Sequence, residues 1–441
     1  MKMRIVGLLV GLCLASSLVA QEPAAPAPTP GLSASTSPTT AYTLTPEKKE
    51  KAIAYAKARY RLHFLSFFWS VAVLAAIIAL RLAPRFRDRA EAVSKRRFWQ
   101  AAVFVPLLFT TQAILELPTQ IYGQKLALDY EQSVQGWGSW MWDGVKGLLV
   151  GLVIGIPIVW LLYLFLRRSP RRWWLWFWLA TLPILVFVIF VAPVLIDPLF
   201  FKFRPLAPGH PELASKIEQV TVQAGQPIPQ QKMFEMNASS KYNSINAYVT
   251  GLGASKRVVV WDTTMAKADI PQTLFVFGHE MGHYVLKHIP KLIAFLWGFF
   301  FALLALGAAV LSRLIGRPGG RWGIRSVADW ASLPVLLLVV TVAAELAQPV
   351  LNGFIRKHEH DADVFGLEAI HGIVPESAQA AAQAFQILGE TNLSDPDPPA
   401  FIRFWLYNHP PLAERLRFAA TYDPWSKGEA PEFLKSPAAR P

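Results

Sequence analysis

The sequence predicts an α-helical polytopic membrane protein, a multi-span helical bundle with a small β-hairpin carried between its spans. Three observations predict it. Of 441 residues, 53% are hydrophobic and only 17% charged, against about 25% charged in soluble domains. Six segments are each apolar over about 20 residues, the length a helix needs to cross roughly 30 Å of hydrocarbon. Sixteen Trp and 28 Phe suit side chains that lie in lipid or at its boundary. The composition excludes a plain soluble enzyme and a disordered chain.

Residues 1–20 read as a signal peptide or uncleaved anchor. Lys2 and Arg4 open it, Ile5–Leu14 is its apolar core, and Ala20 precedes the expected cut. The single cysteine, Cys13, excludes a disulfide framework and a CxxC metal site. Leu12 stands where a lipoprotein signal needs a small residue. Residues 21–61 form a flexible Pro/Ala/Ser/Thr linker and a lead-in helix. A four-span N-terminal membrane region follows over 62–196, with spans at Leu62–Leu82, Phe98–Leu117, Gly147–Leu166 and Trp173–Ile196. Residues 197–291 form a polar segment. Two further spans, Leu292–Leu311 and Trp330–Val350, occupy 292–351, and a second polar segment fills 352–441.

Basic residues set the orientation. The loop after the first span holds Arg81, Arg85, Arg87, Arg89, Lys95, Arg96 and Arg97. The loop after the third holds Arg167, Arg168, Arg171 and Arg172, and that between the fifth and sixth holds Arg313, Arg317, Arg321 and Arg325. These loops share one side, expected to be cytoplasmic, so both polar segments face the periplasm of a bacterial inner membrane. The net charge of +13 is thus a topology signal, and no nucleic-acid partner is expected.

Gly278-His279-Glu280-Met281-Gly282-His283 carries the chemistry. A helix is expected from Pro271 to Ile289, with Pro290 beyond its end. Positions i and i+4 share a helix face, so His279 and His283 can offer two imidazoles to one zinc ion. Glu280 is placed beside them to take a proton from water. Catalytic zinc wants a third protein ligand, and the best source is Lys357-His358-Glu359-His360-Asp361-Ala362-Asp363. Glu359 as ligand, with Asp363 accepting a ligand histidine's free N–H, is chemically sound. His358, His360 and Asp361 are rivals on chemistry alone. The pattern reads as a zincin-like metallopeptidase unit, of gluzincin type if Glu359 is the third ligand. Ile245–Thr250 and Arg257–Asp262 read as two strands joined by a turn, Gly251–Ser255. Their hairpin places Asn246, Ala247 and Tyr248 where an extended peptide can pair along an edge.

HEMGHYVLKH, EHDAD and NHPPLAER, with IDPLFFKFRPL, INAYVTGL and KRVVVWDT, together resemble the type-1 CAAX prenyl proteases, polytopic zinc metallopeptidases. The resemblance spans roughly Phe98 to Leu416. It implies one zinc per chain held by His279, His283 and Glu359, with Glu280 as general base. It also implies Asp363 orienting a ligand histidine, and His409 and Arg415 near the oxyanion or the substrate backbone. His288 matches a family histidine as well. The family has seven spans around a water-filled chamber; here six spans and a signal-like start are expected. Prenylated substrates belong to its eukaryotic members, which work on the cytosolic side. The expected partners here are the lipid bilayer and an unfolded or membrane-tethered protein or peptide. A channel or transporter would carry paired charges inside its spans, and only Glu116 and Glu345 are candidates. An inactive scaffold would lack Glu280 or a ligand, and all are present.

Overall fold

The computed structural model of the chain describes residues 41–434, apart from 191, 252–255 and 317–318. The expected signal, most of the linker and most of the Gly251–Ser255 turn lie outside the described residues. The helices of seven residues or more, in chain order, are α1 (Pro46–Ala79), α2 (Leu82–Val93), α3 (Arg97–Asp129), α4 (Trp137–Arg168), α5 (Trp173–Phe190) and α6 (Pro211–Gln223). There follow α7 (Ile270–Val285), α8 (His288–Gly316), α9 (Leu333–Ile370), α10 (Ser377–Thr391), α11 (Ala400–Leu406) and α12 (Leu412–Thr421). Six of these, α1, α3, α4, α5, α8 and α9, are long and apolar enough to cross a membrane.

Five of the six spanning helices are longer than the expected spans, α1 and α9 among them. Thr45 caps α1 through the Lys48 amide and Pro46 fills its first position, where a missing N–H costs nothing. No Gly or Pro interrupts the chain from there to Ala79, so the lead-in helix and the first span are continuous. The last span likewise runs on as the 38-residue α9, with Pro349 inside it. Two expected helices are shorter, the first being α5, which ends at Phe190 before the expected Ile196. The helix from Pro271 does not reach Ile289: it ends at Val285, and Lys287 turns the chain at φ 57°. Pro290 therefore sits in the first turn of α8 rather than beyond the end of α7, again where no hydrogen bond is lost.

Four strands form one sheet in the order β1–β2–β4–β3, with β1 at Phe203–Pro205, β2 at Met233–Met236, β3 at Ala247–Thr250 and β4 at Arg257–Trp261. The expected hairpin is β3–β4, antiparallel, with Tyr248 opposite Val259. β2 adds parallel to β4, and β1 antiparallel to β2. The sheet ends at β3.

There are two main apolar cores. One lies among the spans and includes Leu74, Phe104, Leu108, Tyr163, Trp330 and Leu336. The other lies among the sheet, α6, α7, the end of α9 and α10, and includes Val258, Phe275, Phe277, Phe365 and Phe385. Because α9 belongs to both, it joins the membrane bundle to the polar unit as one rod. Phe68, Leu149, Val153 and Leu306 point outward and exposed on the spans, as a lipid-facing surface requires.

The basic loops meet at one end of the bundle. Arg81 donates to the Arg321 carbonyl at 2.9 Å, Arg87 pairs with buried Asp329 at 2.6 Å, and the Arg167 guanidinium lies 4.3 Å from the Trp330 ring centroid. The residues before α1 and its first turn contact the polar unit instead: Thr43 receives and donates main-chain bonds with Gln386, and Lys48 pairs with Glu390 at 2.9 Å. Between spans and polar unit lies a cavity of about 770 Å³, lined by apolar side chains such as Phe299, Leu303 and Leu337 and, at one end, by Glu280, His283, Glu359 and His409.

Candidate active site

The helix that carries His279 and His283 starts on a capping box, with the Asp269 side chain and Gln272 exchanging bonds with each other's backbone, which satisfies two orphan donors. It then crosses α9 backbone to backbone. A Cβ on Gly278 would lie 2.9 Å from the Gly366 carbonyl oxygen, and one on Gly366 would lie 2.7 Å from the His279 nitrogen. Gly282 faces Ala362 and Phe365 just as closely. Small residues at i and i+4 on both helices let the axes approach, and this approach sets Glu359 opposite the two histidines.

The resulting donor set is tight. The His279 and His283 Nε2 atoms are 3.2 Å apart; Glu359 Oε2 lies 3.2 Å from His279 Nε2, and Glu359 Oε1 lies 3.4 Å from His283 Nε2. A tetrahedral ion bonded at about 2.0–2.1 Å separates its ligand atoms by roughly 3.3 Å, so the three groups fit one metal ion. Among the described residues they are the one such group of His, Cys, Asp and Glu. His358, His360 and Asp361 stand elsewhere. His358 Nδ1 bonds to the Phe354 carbonyl, His360 packs on Phe418, and Asp361 is 3.9 Å from His288.

Around these groups, Asp363 Oδ1 accepts from His279 Nδ1 at 2.7 Å. Burial opposes a charge on His279, yet Asp363 and Glu359 together push its imidazole up to about 9, the mark of a pocket suited to a cation. His288 Nδ1 lies 3.1 Å from His283 Nδ1. His409, half exposed, places Nε2 3.0 Å from Glu359 Oε2. Arg415 lines the cavity with His409. It makes a forked ion pair with Asp363, Nε to Oδ2 at 2.8 Å and Nη2 to Oδ1 at 2.6 Å. Asp363 is fully buried, and a buried carboxylate needs such a partner. Asn246, Ala247 and Tyr248 line the cavity at the sheet's β3 edge. Their backbone is fixed by Thr264, whose hydroxyl bonds to both the nitrogen and the oxygen of Asn246 at 2.7 Å. The glycine crossing was missed in the motif, although Gly278 and Gly282 flank its histidines at the spacing that signals close helix approach.

Gly366→Ala is expected to cost about 1–3 kcal/mol as an overpacked contact and to move Glu359 away from the histidines. A lowered Tm together with reduced metal content checks this; a variant indistinguishable from native would show that the helices part without consequence.

A helical membrane protein whose polar unit gathers His-x-x-x-His and a carboxylate around one point has the makings of a membrane metalloprotease. The comparisons place it in a family. The model described as CAAX prenyl protease N-terminal, five membrane helices, matches residues 32–202, and that of peptidase family M48 matches residues 209–423. A metalloprotease of Bacillus subtilis, YhfN, is 34% identical over 85% of this chain and 86% of its own. The CAAX prenyl protease 1 homolog of Arabidopsis thaliana is 27% identical over 84% and 87%. The fold is similar to the crystal structure of S. mikatae Ste24p, with a TM-score of 0.73 over 96% of this chain and 99% of that one, at 22% identity. The chain belongs to peptidase family M48 and is an integral membrane metalloprotease. Among the described residues of 32–202 there are four α-helices of spanning length and two shorter ones, α2 and Ala192–Ile196.

Proposed function

We propose that this metalloprotease is a zinc-dependent endopeptidase holding one zinc per chain and cutting unfolded or membrane-tethered proteins at the end of its cavity. The carrying observation is the convergence of His279, His283 and Glu359 at ligand-to-ligand spacing. When bound, zinc supplies a Lewis acid that polarises a carbonyl and acidifies water. Glu280 takes the proton of the attacking water and delivers it to the leaving amine. Asp363 holds the Nδ1–H of His279 and so leaves Nε2 as the donor toward the metal. Arg415 is assigned the positioning of Asp363 instead of an oxyanion contact. His409 supplies a donor to the developing oxyanion. The substrate's main chain pairs in extended form along β3 at Asn246, Ala247 and Tyr248, which accommodates many sequences.

The purified protein is expected to cleave a casein-type substrate, to lose that activity to a chelator and to regain it with one equivalent of zinc. A prenylated peptide assayed beside it tests the lipid-modified class. Absence of cleavage of both at full zinc occupancy would sink the reading.

The side of the membrane belongs to the same proposal. Basic loops collect at the end of the bundle away from the histidines, which favours a periplasmic site. In a chain carrying Cys13→Ser, exposed Ser215→Cys on α6 is expected to react with an impermeant maleimide once the outer membrane is opened. Labelling that needs inner-membrane permeabilisation would put the site in the cytoplasm.

A further inference from the structure

The segment that carries His409 has little structure of its own. The seven-residue α11 ends at Leu406, the chain is irregular from 407 to 411, and Pro410 and Pro411 follow His409. A helix leaves its last carbonyls without intrahelical partners, so this stretch needs donors from outside. Those donors, and an acceptor for the Trp405 indole, come from a single face of α9. The Trp405 indole donates to Glu345 Oε1 at 2.9 Å; Asn352 Nδ2 donates to the Trp405 carbonyl at 2.6 Å. Arg356 donates to the carbonyls of Tyr407 and, at 3.3 Å, Arg403. Next on the same helix is Glu359, 3.0 Å from His409. Spacings of seven, four and three residues along α9 return to one face of a helix of 3.6 residues per turn. Over about 21 Å of axis the segment advances from residue 405 to 409, toward the metal ligands. Two residues of α1 brace it: the Tyr60 and Tyr407 hydroxyls are 2.9 Å apart, and His63 pairs with Glu345 at 3.0 Å.

We infer that Glu345, Asn352 and Arg356 are positioning residues that register His409 against Glu359. The reason is mechanical. Glu359 and the ladder share one rigid helix, so fastening the 405–409 segment to that helix fixes the distance between a metal ligand and the proposed oxyanion donor. The inference rests on the reading of His409 given above. None of the three residues needs to touch the substrate's reacting atoms.

A double-mutant cycle tests it, using the full-length protein at saturating zinc. His409→Ala is expected to lower kcat by about 10²–10³-fold, the usual loss of one oxyanion donor. Arg356→Met is expected to lower kcat by up to about 10²-fold, the cost of misplacing a catalytic group by roughly 1 Å, with KM and zinc content unchanged. Arg356→Lys, which keeps a donor, recovers part of the loss. In the double variant Arg356→Met adds nothing to His409→Ala, because its whole effect passes through His409. If Arg356→Met is too unstable to assay, Asn352→Leu takes its place in the cycle. Full activity of His409→Ala would remove the reading of His409 itself. An impaired His409→Ala, with a fully active Arg356→Met or with losses that multiply, would overturn the ladder alone.

Discussion

Glu280→Gln is expected to retain zinc and fold and to lose peptide cleavage by about 10²–10⁴-fold, the range that general acid–base catalysis contributes. Gln is nearly isosteric with Glu, so the packing of α7 against α9 has no reason to change. What it lacks is the ability to accept the proton of the attacking water. Glu280 faces the cavity beside His283, Glu359 and His409, where the proposed base and the departing amine would share one enclosure. The measurement is turnover of a quenched peptide at matched zinc content, with the melting temperature recorded alongside. Near-native turnover at equal occupancy would rule out Glu280 as the base.

His283→Ala acts one step earlier and is expected to empty the site. Native protein should carry one zinc per chain after dialysis against a weak chelator, and the variant close to none, with cleavage lost in parallel. Removing one imidazole leaves a single histidine and Glu359, fewer protein ligands than a catalytic zinc site uses. The variant also removes the partner of His288, 3.1 Å away. Elemental analysis decides the matter. Full metal retention with unchanged activity would overturn the ligand set.

The spans could be read from the sequence because lipid leaves a chain no choice. Backbone groups must be satisfied inside each helix and side chains must be apolar, so Gly147–Leu166 announces itself without reference to any neighbour. The histidine pair was equally readable, since its geometry is set by one helix. What escaped depends on contacts between distant residues. β1 and β2 are three and four residues long, too short for a periodicity, and the parallel pairing of β2 with β4 is non-local. The bend at Lys287 puts a non-glycine residue in the left-handed region, which no local propensity favours. The ion pair between Arg415 and Asp363 joins residues 52 positions apart, and a His-Pro-Pro motif gives no hint that the arginine beyond it turns toward a buried carboxylate.

The order of these parts along the chain has a consequence for biosynthesis. His279 and His283 precede α8, whereas Glu359 lies beyond the membrane-crossing part of α9, and Arg415, which neutralises Asp363, comes later still. A metal site of this kind does not exist in the unfolded chain. It can close only after the α8–α9 hairpin has been inserted and α7 has docked on α9 through Gly278 and Gly366. With the ligand set proposed above, a chain stalled between its fifth and sixth spans still lacks Glu359, so its site is incomplete. The proposed centre is therefore complete only in a molecule whose last span is in place.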